Sequence, residues 1–143
     1  MKAYPERKNI RLLNFDYTSN GYYFITICAG NKRAFYNNKD FIREILCSLP
    51  LRFNGVSLDY SVVMGDHLHA ILILNDSEKT VSEVVRQFKA LITLKTKIKD
   101  VWQKGFFEHV IRNEKALQKI REYIRNNPLA EKIKFEQFYE RAQ

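Results

Sequence analysis

The chain has 143 residues, 45% of them hydrophobic, which suits a single domain (1–143) able to bury a core. Its 24 Lys+Arg against 16 Asp+Glu leave a net charge of +8 and favour a polyanionic partner, nucleic acid first. No stretch reaches the roughly 18 uncharged apolar residues that span a bilayer, and Met1 to Asn20 is polar rather than leader-like. The expected location is therefore cytoplasmic and nucleoid-associated, with no membrane partner.

Residues 1–20 read as a basic arm carrying Arg7, Lys8 and Arg11. Tyr22 to Cys28 is aromatic and β-branched, as a buried strand requires. Asn37, Asn38 or Asp40 can cap a helix whose apolar positions Phe41, Ile42, Ile45, Leu46 and Leu49 follow helical spacing, and Pro50 is expected to end it. After Asn54-Gly55 a second strand runs to about Met64, Gly65-Asp66 makes a tight connection, and a third strand continues to Leu74. That third strand is apolar on both faces, so it should be central and covered on both sides except at its histidine end. Cys28 and Cys47 lack a Cys-x-x-Cys spacing and are expected as reduced, buried, small apolar residues.

Thr80-Val81-Ser82-Glu83 is a capping-box pattern opening a helix with Val81, Val84, Val85, Phe88, Leu91 and Ile92 on one side. Its other side is basic and includes Arg86 and Lys89. Phe106 to Ile111 reads as a fourth strand, preceded by Lys104 and followed by Arg112. Asn113 caps a third helix (113–127) through Leu117, Ile120 and Ile124. The order predicts an α+β fold, a ferredoxin-like βαββαβ antiparallel sheet with helices on one face and an added C-terminal helix.

His67 and His69 carry the chemistry. Alternation along a strand points both imidazoles to one face, and two adjacent nitrogen donors on a rigid element are half of a divalent-metal site. Two polar residues at a strand end would look the same. Tyr123 and Asn127, four residues apart, share one side of the third helix at the edge of its buried stripe. Pro128 should end the helix, placing the Asn127 side-chain carbonyl at the negative end of the helix dipole. Taken alone, Tyr123 reads equally as a core-edge residue and Asn127-Pro128 as an ordinary helix stop.

Several motifs in order decide between these readings. Arg7-Lys8-Asn9-Ile10-Arg11-Leu12, Asp16-Tyr17, Tyr23 to Cys28, His67-Leu68-His69, Gln87-Phe88-Lys89, Trp102 to Asn113 and Tyr123-Ile124-Arg125-Asn126-Asn127-Pro128 together resemble the single-tyrosine HUH transposases. The resemblance is greatest to the tyrosine transposases associated with repetitive extragenic palindromes. It implies a nuclease and strand transferase for single-stranded DNA with hairpin or palindromic ends, acting as monomer or homodimer. His67, His69 and Asn127 would hold Mg²⁺ or Mn²⁺, and Tyr123 would be the catalytic nucleophile, leaving a 5′-phosphotyrosine and a 3′-hydroxyl. A phenol with a pKa near 10 needs the polarised phosphate that such an ion provides. Arg7, Lys8, Arg11, Arg86, Lys89, Lys104, Arg112 and Arg125 are the candidate DNA contacts.

Two departures from the family pattern stand out. Gly65-Asp66 replaces the usual Pro-Asn, leaving Asp66 to bind metal through water or to hydrogen-bond an imidazole. The sequence also closes at Gln143, so the extended C-terminal DNA-binding segment of some relatives is not expected. Tyr139 with Gln143 repeats the four-residue spacing and is a rival pair, and His109 reads as a helper in DNA or metal binding or as a structural histidine, outside the metal set. A different class of function is a non-catalytic single-strand binding module on the same sheet, with Tyr22, Phe24, Phe106 and Phe107 as stacking platforms.

Overall fold

The computed structural model describes residues 20–126 together with 138 and 139. Four antiparallel strands form one sheet: β1 (Gly21–Cys28), β2 (Val56–Val63), β3 (His67–Leu74) and β4 (Phe107–Ile111), in the order β2-β3-β1-β4. This is the expected ferredoxin-like arrangement. β3 pairs with β1 from Gly21↔Leu74 to Cys28↔His67, so the histidines sit at the end of the sheet where β1 finishes. All but one of the β3 residues are buried, as its two-sided apolar pattern requires.

Helices α1 (Lys32–Asn37), α2 (Lys39–Cys47), α3 (Leu49–Arg52) and α4 (Val81–Thr96) follow β1 and β3. Their apolar sides pack on one sheet face against Tyr23, Ile25, Ile27, Leu68, Ala70 and Leu72. The capping box of α4 forms as read: Glu83 N–H donates to Thr80 Oγ1, and Thr80 N–H donates to Glu83 Oε1 at 2.7 Å. Pro50 does not end the first helix. The chain turns at Ser48, and Pro50 lies in the first turn of α3, where its missing N–H breaks no hydrogen bond. Cys47 is exposed and Cys28 half-buried, so neither is the fully buried residue expected, although both are thiols.

The last helix, α5 (Glu114–Asn126), is capped by Asn113, whose Oδ1 accepts from Ala116 N–H at 2.7 Å. It packs on the opposite sheet face. Its residues Ala116, Leu117, Ile120 and Ile124 are buried against Phe24, Ile71 and Ile111, with Tyr22, Tyr60, Val62, Phe107 and Tyr123 at the margin. Each fully buried aliphatic side chain contributes about 1.5–3 kcal/mol. Arg121 fixes the position of α5 on the sheet by a two-pronged bond to Asp59, with Nε to Oδ2 at 2.8 Å and Nη2 to Oδ1 at 2.5 Å. The carboxylate beside it raises the Arg121 pKa further above its ordinary value. Asp59 is the extra residue of a β-bulge, because Leu58 pairs with Leu72 while Tyr60 pairs with Ile71.

Candidate active site

β1 and β3 hold the site through their register. Thr26 pairs with His69 and Cys28 with His67, and these residues face the α5 side with Phe24, Ile71 and His109. The two imidazoles lie side by side, ring centroids 4.8 Å apart, and His69 stacks on Phe24 at 5.4 Å. Both are buried.

Each ring uses Nδ1 for a protein contact. His67 Nδ1 lies 2.8 Å from Asp66 Oδ1, and His69 Nδ1 lies 2.9 Å from Thr26 Oγ1. Nε2 is then the nitrogen with which either ring would meet a ligand. His67 Nε2 is buried and has no hydrogen-bond partner among the described residues. A buried acceptor of this kind normally has a partner, so the site suits a ligand that accepts a lone pair. Of the two roles open to Asp66, the geometry displays the hydrogen bond to the imidazole. Thr26 was not singled out in the sequence; a lone hydroxyl within Ile25-Thr26-Ile27, in phase with the histidines, was its only signal.

Among the described residues no group of three or more His, Cys, Asp or Glu is arranged to hold a metal. Asn127, the expected third donor, lies outside the described residues, as do Pro128, Arg7, Lys8, Arg11 and Gln143.

Tyr123 stands on the same sheet face as the histidines. It joins the apolar cluster that contains Phe24 and Val62, which respectively stack on and pair with His69, and its ring meets Phe138 edge-on at 5.3 Å. α5 starts beyond Ile111, at the end of the sheet remote from the histidines. Arg121, two residues before Tyr123, reaches Asp59 of β2, so the helix crosses the strands from β4 to β2 on this face. Tyr139 is otherwise engaged. Its hydroxyl lies 2.7 Å from His109 Nε2 and accepts from Arg112 N–H at 3.2 Å, while the Arg112 guanidinium covers its ring at 4.0 Å.

The basic residues divide by position. Arg86, Lys104, Arg112 and Arg125 are exposed, and Lys104 lies in the segment just before β4, next to Gln103, whose N–H donates to Cys28 O. Lys89 instead points into the protein, donating to Gln103 O at 3.1 Å and Gly105 O at 2.6 Å. Burial pushes its ammonium down to about 8, opposed by the nearby Cys28. Phe24, offered as a stacking platform, is fully buried and presents no face to a base. A cavity of about 420 Å³ lined by Tyr22, Ile111, Arg112 and Glu114 lies at the far end of the sheet, away from the histidines.

The fold is a ferredoxin-like sheet whose His-x-His strand lies on the face covered by a tyrosine-bearing helix. The chain belongs to the family described as "Transposase IS200 like", whose pattern matches residues 17–127. It is 28% identical to the REP-associated tyrosine transposase of Escherichia coli, over 79% of this chain and 69% of that protein. It is 32% identical to an uncharacterised protein of Haemophilus influenzae, over 86% of this chain and 88% of that one. Its fold is similar to that of a REP-associated tyrosine transposase solved bound to a REP hairpin, with a TM-score of 0.70 and 25% identity, covering 84% of this chain and 73% of the other. Among the described residues no helix is long and apolar enough to cross a membrane.

Proposed function

We propose that this transposase-family chain is a metal-dependent endonuclease and strand transferase for single-stranded DNA with hairpin ends. It works through a covalent 5′-phosphotyrosine on Tyr123. The observation that carries the reading is the placement of His67 and His69 side by side, Nδ1 of each engaged, on the face across which α5 lays Tyr123. The relative bound to a REP hairpin supports the same kind of DNA end here.

His67 and His69 would hold Mg²⁺ or Mn²⁺ through Nε2, with Asn127 as third donor. When bound, the ion supplies charge stabilisation to the scissile phosphate. Imidazole donors favour Mn²⁺ over the oxygen-seeking Mg²⁺. The chain's own residues do the rest. Tyr123 Oη forms a bond to phosphorus as the bond to the 3′ oxygen breaks, the phenol proton leaves, and the departing oxygen takes one up as a 3′-hydroxyl. The new ester conserves the energy of the broken bond, so rejoining needs no nucleotide cofactor. Phe138 and the buried stripe of α5 confine the attacking ring, which lowers the entropy lost on reaching the phosphate. Lys104 and Arg125, both exposed, offer positive charge to the DNA backbone. Arg121 ties α5 to Asp59 of its own sheet, which supports a site assembled within one chain and a protein active as a monomer.

The test is incubation of the purified protein with Mn²⁺ and a foldback single-stranded DNA. Wild type is expected to give an adduct that resists SDS, and Tyr123→Phe none. The same adduct from Tyr123→Phe would refute the nucleophile, and its absence from wild type across hairpins and metals would favour a binding module.

A further inference from the structure

We propose that Asp66 is a positioning residue that fixes the tautomer and ring direction of His67, so that its Nε2 is turned to the site. The proposal rests on the metal-site reading above and adds a residue to it.

Asp66 is held in place before its side chain acts. Its carbonyl accepts from Ala29 N–H at 2.9 Å, and Met64 N–H donates to His67 O at 2.8 Å, so the turn that carries it is tied to the sheet on both sides. The carboxylate then splits between two neighbours. Oδ1 lies 2.8 Å from His67 Nδ1, and Oδ2 lies 3.8 Å from Lys32 Nζ. Lys32 is 73% exposed, so the second contact is a screened one that only steadies the carboxylate. The first contact has a stricter consequence.

An ionised carboxylate has no hydrogen to give and can only accept. The 2.8 Å contact therefore requires a proton on Nδ1, and in the neutral ring it leaves the lone pair on Nε2, the buried atom with no hydrogen-bond partner among the described residues. His69 is placed differently, because its Nδ1 partner is the Thr26 hydroxyl, which can donate or accept. Thr26 orients the second ring without dictating its tautomer. His67 is thus preset to offer Nε2. Carboxylate contacts of this kind change metal affinity by about 10–100-fold when lost.

The experiment uses the full chain, in wild-type form and as Asp66→Ala, Asp66→Asn and His67→Ala. Nitrogen-15 NMR of the histidine rings without metal should place the neutral proton of His67 on Nδ1 in wild type and show a tautomer mixture in Asp66→Ala. Titration with Mn²⁺, followed by the loss of its free EPR signal, should show affinity down about tenfold in Asp66→Ala. Asp66→Asn, whose amide oxygen still accepts, should recover most of both signals. A wild-type His67 proton on Nε2, or unchanged tautomer and affinity in Asp66→Ala while His67→Ala loses Mn²⁺, would overturn the role of Asp66 alone. Undiminished Mn²⁺ binding by His67→Ala would overturn the metal site with it.

Discussion

The two faces of the sheet are built from alternate residues of the same strands, yet they differ in kind. Toward α1–α4, β1 and β3 present Tyr23, Ile25, Ile27, Leu68, Ala70 and Leu72, all buried and packed together. Toward α5 they present Phe24 and Ile71 but also Thr26, His67 and His69. One face is nearly pure hydrocarbon at the centre of the sheet; the other grades from hydrocarbon under the start of α5 to imidazole at the strand ends. Period-two alternation thus lets one strand contribute to stability and to chemistry with few residues shared between the two tasks.

If that division holds, substitutions on the two faces should fail in different ways. The largest expected effect is on the α5 face: His69→Ala should reduce covalent adduct formation by roughly 10²-fold or more, as loss of several kcal/mol of charge stabilisation implies. Gel quantification per folded molecule measures it, and an activity within a few-fold of wild type would break the comparison. On the other face, Leu72→Ala should cost about 2–5 kcal/mol of stability in denaturant unfolding while leaving adduct formation per folded molecule unchanged. Between them stands Arg121→Ala, which leaves the part-buried Asp59 without its partner. A loss of about 1–3 kcal/mol is expected, with a slower adduct reaction because α5 is less firmly seated.

The last effect concerns pH and leaves the adduct reaction aside. Lys89 has a folded pKa of about 8 against its ordinary 10.5, so the unfolded chain holds more protons between those values. The burial cost is full below about pH 8 and fades as pH rises toward 10.5. The thermal stability of wild type relative to Lys89→Met should therefore increase across that window, and a flat difference would show that the two carbonyl contacts cancel the burial.

The sequence was most legible where local chemistry and the final fold agree. Thr80 and Glu83 spell a capping box that forms, Asn113 caps as read, and Leu117, Ile120 and Ile124 are buried as their spacing demands. The strand pattern also set His67 and His69 on one face. What could not be read was which face α5 would cover, because an amphipathic stripe records that a helix is buried and says nothing of what buries it. The orientation of Lys89 was hidden for a similar reason: a lysine on a basic helix side resembles its exposed neighbours until two backbone carbonyls are seen to receive it. The partners of the histidines depended on tertiary register in the case of Thr26, whereas Asp66 was visible as an adjacent carboxylate whose use stayed open.

The bulge at Asp59 gives the molecule a separable joint. β2 is one residue longer than its ladder with β3 needs, since Leu58 and Tyr60 already occupy successive pairing positions with Leu72 and Ile71. Removing Asp59 would leave a regular strand with Leu58 still directed at one core and Tyr60 at the other. The sheet would keep its register while α5 lost its ionic anchor. A single-codon deletion could thus loosen the tyrosine helix through its ion pair alone, while Ala116, Leu117, Ile120 and Ile124 still hold it to the sheet.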